Sequence, residues 1–225
     1  MSPAKKIFLK ALIVVISNVI LALGIGLLRI ITFGVDPFTG MFLSASYFFK
    51  YVLDIHFMTS GLIQLILNLV FFIVIIKYNR KQIGFGTVFN MVFVGFLCDG
   101  FEAGFLSILP HDLSLPLRLL FLIIAIILIS MGVGLYGGIQ MGTSPYDGFP
   151  FIINEQTKGR ISITKARMAA DITCALVGFL LVLPTGKLTT ILGIATLILA
   201  FGLGPLTTFF RVYLGDKFLW KNLKN

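Results

Sequence analysis

The feature that most constrains the fold is a series of six long apolar stretches that run from one end of the chain to the other. A helix needs about 20 mainly apolar residues to cross the hydrocarbon core of a bilayer, and each stretch approaches or exceeds that length. Only 12% of the residues are charged, about half the fraction found in soluble domains. The sequence therefore predicts an all-α polytopic membrane protein with six transmembrane helices, at residues 8–28, 57–76, 82–106, 117–138, 168–183 and 188–210.

Two further segments, residues 36–54 and 144–157, are too short or too polar to read as clear crossings. The positions of Lys and Arg bear on whether they cross, because cytoplasmic loops carry the excess of these residues. With six crossings and a cytoplasmic N-terminus, fourteen of the eighteen Lys and Arg residues lie inside, against thirteen if both segments cross. The count favours six crossings, cytoplasmic N- and C-termini and two short non-crossing or re-entrant helices. Eight crossings are the alternative.

The chain also contains an internal repeat. Residues 24–40 align with residues 132–148 at an offset of 108, and seven of these seventeen positions are identical. Residues 83–95 match residues 192–204 in the same way. We predict one integral membrane domain made of two repeats, at residues 1–110 and 111–225. Three crossings per repeat would give the two copies opposite orientations, an arrangement common in secondary transporters, whereas four would make them parallel.

The repeated motifs resemble those of the YczE/YyaS-type bacterial membrane proteins and, more distantly, the YitT type. They are Gly-x-Gly, Gly-x-x-Pro and Gly-x-Gly-Thr, found at residues 24–26, 34–37 and 84–87 and again at 132–134, 142–145 and 193–196. In the last copy Ala195 replaces the second glycine. The resemblance implies a location in the bacterial inner membrane and a transport or regulatory role. It carries no catalytic residues.

Each Gly-x-x-Pro motif predicts the start of a short helix inside or beside the membrane. Asp36 and Ser144 are favourable N-cap residues, and the prolines that follow them, Pro37 and Pro145, suit the first turn of a helix. The positive ends of two such helices, facing each other, would form a central site for an acidic or zwitterionic solute. The alternative is a pair of interfacial elbows whose caps are satisfied locally.

Ionisable side chains at membrane depth are costly, so they are candidate site residues. Asp171 is one, with Gln64 at the corresponding place in the first repeat and Asn68 one turn further on; an ion pair with Arg167, four residues earlier, is the alternative. Asp147 could bind a cation or an amine, or could stabilise the helix dipole. The predicted solute-binding residues are Asp36, Pro37, Thr39, Gln64, Asn68, Ser144, Pro145, Tyr146, Asp147 and Asp171.

Other polar and small residues have less specific interpretations. Asp99 and Glu102 share a helix face and could bind a cation, although exposure to the lipid headgroups fits their place near a predicted span end. The small-xxx-small patterns, at residues 134–142 and at Gly100 and Gly104, predict close helix packing within the monomer rather than dimerisation.

The sequence contains no signature of the common hydrolases, metalloproteases or nucleotide-binding proteins. We therefore predict that the protein is not an enzyme and has no cofactor, no metal site and no nucleic-acid partner, with the lipid bilayer and a small solute as its partners. The function we expect is that of a small-solute transporter or the membrane component of an uptake system, with a polar or anionic solute bound between the two repeats. The alternative is a non-transporting scaffold or regulatory protein that acts through a partner.

Overall fold

The computed structural model describes residues 2–110, 112–139 and 141–219, and over these residues the fold is all-helical. Six helices are long and apolar enough to cross a membrane, whereas α2 and α6 are only 15 and 12 residues long. The predicted six spans and two short helices are confirmed. The α-helices are α1 (Pro3–Ile30), α2 (Pro37–Tyr51), α3 (Ser60–Tyr78), α4 (Phe85–Ile108), α5 (Leu115–Gly138), α6 (Pro145–Gln156), α7 (Ile163–Val182), the single turn α8 (Leu188–Ile191) and α9 (Ile194–Phe210). A π-helix, Arg211–Leu219, continues α9, and the sixth span runs over Ile194–Gly215.

Local capping chemistry sets where these helices begin. The N-cap side chains of both short helices accept a hydrogen bond from the first turn, Asp36 from the Thr39 N–H and Ser144 from the Asp147 N–H. In α4 and α9 the N-cap residue is a glycine, so the threonine three residues later supplies the side-chain oxygen. Gly84 N–H donates to Thr87 in α4, at 3.2 Å, and Gly193 N–H makes the equivalent bond in α9.

The centre of the molecule is the antiparallel pair formed by α1 and α5. Near the start of α5, Arg118 donates a 2.8 Å hydrogen bond to the carbonyl of Ile31, which directly follows α1. At the other end, Val14 of α1 lies in one apolar cluster with Ile139, the residue after α5. The equivalent first helices of the two repeats therefore run in opposite directions, as the inverted repeat requires.

The contacts between α1 and α5 are themselves symmetric. A β-carbon on Gly24 would lie 2.8 Å from Ile129 Cγ1, and one on Gly132 would lie 2.8 Å from Leu21 Cβ. Gly24 is equivalent to Gly132 in the repeat, and Leu21 is equivalent to Ile129. The two contacts are therefore the same contact, made once by each repeat. Small residues allow this close approach of two helices in the absence of a strong hydrophobic driving force.

The break after the first helix of each repeat binds the opposite repeat. Gly86 N–H, in α4, donates to the carbonyl of Met141 at 2.7 Å, and Ala195 N–H, in α9, donates to the carbonyl of Phe33 at 2.9 Å. These two bonds are again equivalent under the repeat. Although alanine replaces glycine at Ala195, the close backbone approach is kept there.

Apolar side chains of the outer helices face outward. Ile73 on α3, Phe96 on α4 and Leu180 on α7 are 65%, 76% and 59% exposed. An apolar surface of this kind is stable in contact with lipid chains but not with water. The exposed side chains therefore support the predicted contact with a bilayer. The helices α1 and α5 contribute most of the main buried cluster, which places them at the core.

The predicted packing of small residues is correct for one pattern and wrong for the other. A β-carbon on Gly134 would lie 2.6 Å from the Thr207 carbonyl oxygen of α9, so this glycine does pack within the monomer. At Gly100 and Gly104 no atom of the described residues lies within 4 Å of the β-carbon position. These two glycines lie on a face of α4 that no described helix covers.

Candidate functional site: a polar cavity between two half-helices

The short helix α6 runs from the middle of α3 towards the end of α3. Its first-turn Tyr146 packs edge-to-face against Phe71, with ring centroids 5.7 Å apart, whereas Glu155 near its end accepts a 2.7 Å hydrogen bond from Asn79, directly after α3. At 1.5 Å per residue, α6 is about 18 Å long, too short for the roughly 30 Å hydrocarbon core. It is a half-helix whose N-terminal end lies inside the molecule.

The short helix α2 has the opposite orientation. Met41, in its second turn, packs against Gly178 of α7, and Tyr47 further along packs on the cluster that contains Val182 at the end of α7. Because α3 and α7 run in opposite directions, the C-terminal ends of α2 and α6 lead to opposite faces of the molecule.

The N-terminal ends of the two half-helices meet. Phe38 of α2 and Tyr146 of α6 are equivalent by the repeat, and their rings stack with centroids 4.3 Å apart and an interplanar angle of 5°. An offset or parallel stack of this kind is a favourable aromatic contact beyond the area it buries. The two Gly-x-x-Pro motifs therefore converge on one place between the repeats, and their caps are also satisfied locally.

A cavity of about 70 Å³ lies at this meeting point. Seven of the ten predicted solute-binding residues line this cavity. The other three do not: Pro37 and Pro145 are buried in the first turns of α2 and α6, and Asp171 lies behind Tyr146, whose hydroxyl it binds. The polar lining is Asp36, Thr39, Gln64, Asn68, Asn90, Ser144, Tyr146, Asp147 and Arg167, and the apolar lining includes Leu21, Ile25, Phe38, Val94, Ile129, Val133 and Leu203.

Arg167 connects the acidic residues on one side of the cavity. Its Nε lies 3.1 Å from Asp171 Oδ2, and its Nη1 forms an ion pair with Asp147. The guanidinium also lies over the Tyr146 ring, 4.7 Å from the centroid, and the Tyr146 hydroxyl donates to Asp171 Oδ1 at 2.5 Å. The local Arg167–Asp171 pair, considered above as an alternative to a site, is therefore part of a network that reaches the cavity.

The first repeat has a different polar arrangement. Asp36 Oδ1 accepts the Thr39 N–H at 3.1 Å, but Asp36 Oδ2 is inaccessible to solvent and has no hydrogen-bond partner among the described residues. The Asn68 residue is only 2% exposed, and its side-chain amide makes no hydrogen bond to any residue that the structure describes. Buried polar atoms normally have partners, so Asp36 Oδ2 is unusual.

Sequence reasoning missed two polar residues that line the cavity, Asn90 and Arg167. Asn90 on α4 lines the cavity and donates a 2.7 Å hydrogen bond to Asn18 of α1, which in turn donates to the Val14 carbonyl at 2.8 Å. Arg167 was considered only as a local partner of Asp171. An asparagine in an apolar span is a detectable signal, but the Asn18–Asn90 bond joins residues 72 apart and depends on the packing of α1 on α4.

A second cavity, of about 120 Å³, adjoins the first. The two share Val133, Asp147 and Arg167, so the Arg167–Asp147 ion pair lies between them. The second cavity is also lined by residues at the start of α7 and the end of α9, among them Thr164 and Arg211. It therefore extends from the ion pair towards the face that holds the α6–α7 loop.

Asp99 and Glu102 lie outside this site. Both pair with Arg29 of α1, whose Nη1 is 2.6 Å from Asp99 Oδ1 and 3.1 Å from Glu102 Oε2. The Asp99 side chain is 58% exposed, which agrees with the predicted exposure near a span end. Over residues 2–110, 112–139 and 141–219, no three His, Cys, Asp or Glu side chains come together as a metal site.

A family model matches residues 8–212, a range that includes all eight of the longer helices apart from the first turns of α1. The chain belongs to this family of unknown function, DUF6198. Comparison with curated proteins and with solved structures finds no match. Membership of the family therefore adds no activity or ligand to what the geometry of the site indicates, and the resemblance to the YczE/YyaS type stays a prediction.

Proposed function

We propose that this protein is a small-solute transporter, or the membrane component of an uptake system, and that it binds a polar solute between its two repeats. One observation supports this most strongly. The N-terminal ends of two half-helices from inverted repeats meet at a partly polar cavity, with Phe38 stacked on Tyr146. Inverted repeats with discontinuous helices around a central site are typical of secondary transporters.

The physical argument concerns the irregular backbone at residues 31–36, 139 and 141–144. Non-helical backbone at membrane depth is tolerated only where protein buries it or where it lines a cavity. Here the breaks bind the opposite repeat through the Gly86–Met141 and Ala195–Phe33 hydrogen bonds, and the half-helices that follow border the cavity. A rocking motion of one repeat against the other would then expose the cavity to each face in turn.

The proposed setting is the bacterial inner membrane, with both termini in the cytoplasm. In this orientation the Lys- and Arg-rich segments at residues 77–81 and 158–167 lie on the cytoplasmic side, as the positive-inside rule requires. The larger cavity then opens towards the cytoplasm and the ion pair Arg167–Asp147 lies between the cytoplasm and the smaller cavity.

Cysteine accessibility tests this proposal without knowledge of the solute. Cys98 and Cys174 are first replaced by alanine, and Thr39→Cys is introduced as a near-isosteric probe in the cavity. Right-side-out and inverted vesicles are treated with a membrane-impermeant thiol reagent. We expect Thr39→Cys to be labelled from both sides, because a transporter opens its site to each side in turn.

Two control variants define the range of labelling. Val70→Cys lies on the lipid-facing side of α3, where the residue is 53% exposed, and we expect no labelling from either side. His56→Cys lies in an exposed loop, and we expect labelling from one side only. Labelling of Thr39→Cys from a single side, or from neither side, would contradict alternating access and favour the scaffold or regulatory function.

A further inference from the structure

We propose that the cavity binds a small organic cation, whose ammonium group interacts with the carboxylate of Asp36 and the side-chain oxygens of Asn68 and Asn90. This inference rests on the proposed function, because it names the class of solute for the same cavity. It differs from the sequence-based expectation of a polar or anionic solute.

The first argument is the balance of charge. Three carboxylates, those of Asp36, Asp147 and Asp171, belong to the cavity and the network behind it, against the one guanidinium of Arg167. Arg167 contacts Asp147 and Asp171, whereas no cation of the described residues pairs with Asp36. An uncompensated carboxylate at membrane depth is unfavourable, and a bound cation would offset its charge.

The second argument concerns the half-helix N-termini, which were the basis for expecting an anion. One first-turn N–H of each helix already binds a side-chain oxygen of the protein itself: Thr39 N–H donates to Asp36 Oδ1 in α2, and Asp147 N–H donates to the Ser144 hydroxyl in α6. Asp36 and Asp147 also bring negative charge to these positive helix ends. The positive helix ends therefore already interact with acidic side chains of the protein. A solute anion bound there would be repelled by the carboxylates of Asp36 and Asp147.

The third argument is the set of polar atoms without partners. Asp36 Oδ2 is buried and unpartnered, and the Asn68 amide, on a residue 2% exposed, makes no hydrogen bond within the described ranges. Asn90 uses its Nδ2 to bind Asn18, which leaves Asn90 Oδ1 free to accept a hydrogen bond. All three residues line the same cavity. An ammonium group donates up to three hydrogen bonds, so it would satisfy these acceptors.

The charged residues of the cavity are not the same in the two repeats. The carboxylate at Asp36 corresponds to the hydroxyl of Ser144, and Asp147 corresponds to Thr39. At an offset of 107, the residue that corresponds to Arg167 is Ser60, which carries no charge. The second repeat thus supplies both the acids and their counterion, whereas the first supplies an acid alone.

The lining favours an organic cation over a metal ion. Aliphatic side chains such as Leu21, Ile25 and Leu203 face the cavity together with the Phe38 ring. These groups suit the hydrocarbon part of a small amine, and the aromatic ring can contact a cation through its face. Calcium and magnesium prefer six or more oxygen ligands, and no metal-binding group of acidic side chains forms among the described residues.

The test measures binding to the purified full-length protein in detergent, at constant ionic strength, by thermal unfolding. The probes are ethylammonium, ethanolammonium and tetramethylammonium chlorides, with sodium acetate, sodium propionate, potassium chloride and magnesium chloride for comparison. We expect a saturable rise in melting temperature with ethylammonium or ethanolammonium, whose N–H groups can donate to these acceptors, and none with tetramethylammonium, which has no N–H, with the carboxylates or with the metal salts.

Two variants connect the binding to the cavity. Asp36→Asn removes the charge but keeps a good N-cap, and we expect the apparent dissociation constant to rise at least tenfold. Asn68→Leu keeps a side chain of similar volume and removes the amide. It provides a second test of the site if Asp36→Asn does not fold. The control Asp99→Asn makes the same chemical change at the exposed Arg29 pair, and binding should be unchanged.

The possible results separate this inference from the proposed function. Saturation by a carboxylate or a metal salt alone, no response to either ethylammonium or ethanolammonium, or unchanged affinity in Asp36→Asn and Asn68→Leu would overturn the cation assignment. If Thr39→Cys is still labelled from both sides, transport stands with a different solute. If ammonium binds but Thr39→Cys is labelled from one side, the cation site stands and transport is refuted.

Discussion

At the scale of single residues, Arg167 is the side chain on which the buried network depends. It contacts Asp147, Asp171 and the Tyr146 ring, and the Asp171 residue is only 1% exposed. The sequence could indicate the Arg167–Asp171 contact, because four residues separate the pair on one helix. It could not indicate the contact with Asp147, because the two residues are twenty positions apart and only the antiparallel packing of α6 on α7 brings them together.

Removal of the guanidinium should destabilise the protein strongly. In Arg167→Gln two carboxylates lose their counterion, and a broken buried ion pair costs about 3–5 kcal/mol. We expect a lower melting temperature in detergent. Adding Asp171→Asn removes one of the unpaired charges, so the double variant should recover part of the loss. A double variant less stable than Arg167→Gln alone would contradict the network.

The hydroxyl of Tyr146 should contribute separately from its ring. Tyr146→Phe keeps the stack on Phe38 but removes the 2.5 Å hydrogen bond to the buried Asp171. Side-chain hydrogen bonds in membrane proteins contribute about 0.6–2 kcal/mol. Thermal unfolding should show a decrease of this order, and a larger one in Tyr146→Ala, which loses the stack as well. Equal stability of Tyr146→Phe and the wild type would show that the bond contributes nothing.

At the scale of elements, the breaks before α2 and α6 define the architecture. Their positions follow from the sequence, because Gly-x-x-Pro preceded by a long apolar helix predicts a stop and a new start. Their partners do not follow, since each break binds the first turn of a helix in the other repeat. Gly34 and Gly142 have φ of +93° and +97°, and a β-carbon on either would lie within 2.5 Å of a backbone nitrogen.

Alanine at these two glycines should impair folding. Gly34→Ala and Gly142→Ala add left-handed backbone strain of about 1–2 kcal/mol and overpacking of about 1–3 kcal/mol. Gly186→Ala is the matched control, because Gly186 also has a positive φ, +69°, but no atom of the described residues lies within 4 Å of its β-carbon position. Melting temperatures should fall much further for Gly34→Ala and Gly142→Ala than for Gly186→Ala. Three equal decreases would mean that backbone strain alone matters and that the close contact does not.

At the scale of the whole molecule, the sequence predicted the six spans, the two half-helices and the inverted repeat. These features could be predicted because the lengths of the apolar stretches indicate the spans and the identical residues of the two halves indicate the repeat. Only a few backbone arrangements are stable in a bilayer, which narrows the choice of fold further. The cavity and its charge balance could be predicted only in part. The residues of the motifs were found, but Asn18 and Asn90 were not, because long-range packing of α1 on α4 brings them together. The expectation of an anionic solute followed from the helix dipoles, although the sequence also indicated Asp147 as a cation site or as an acid that stabilises a dipole.

Relative loop sidedness tests the central claim that α2 and α6 enter the membrane from opposite faces without crossing it. Single cysteines at His56, Lys81 and Lys158, in the background without Cys98 and Cys174, are labelled with an impermeant thiol reagent in intact vesicles. The fold predicts that Lys81→Cys and Lys158→Cys lie on one face and His56→Cys on the other. Eight crossings would instead place Lys158→Cys on the face of His56→Cys, opposite Lys81→Cys, and that result would contradict the inverted repeat.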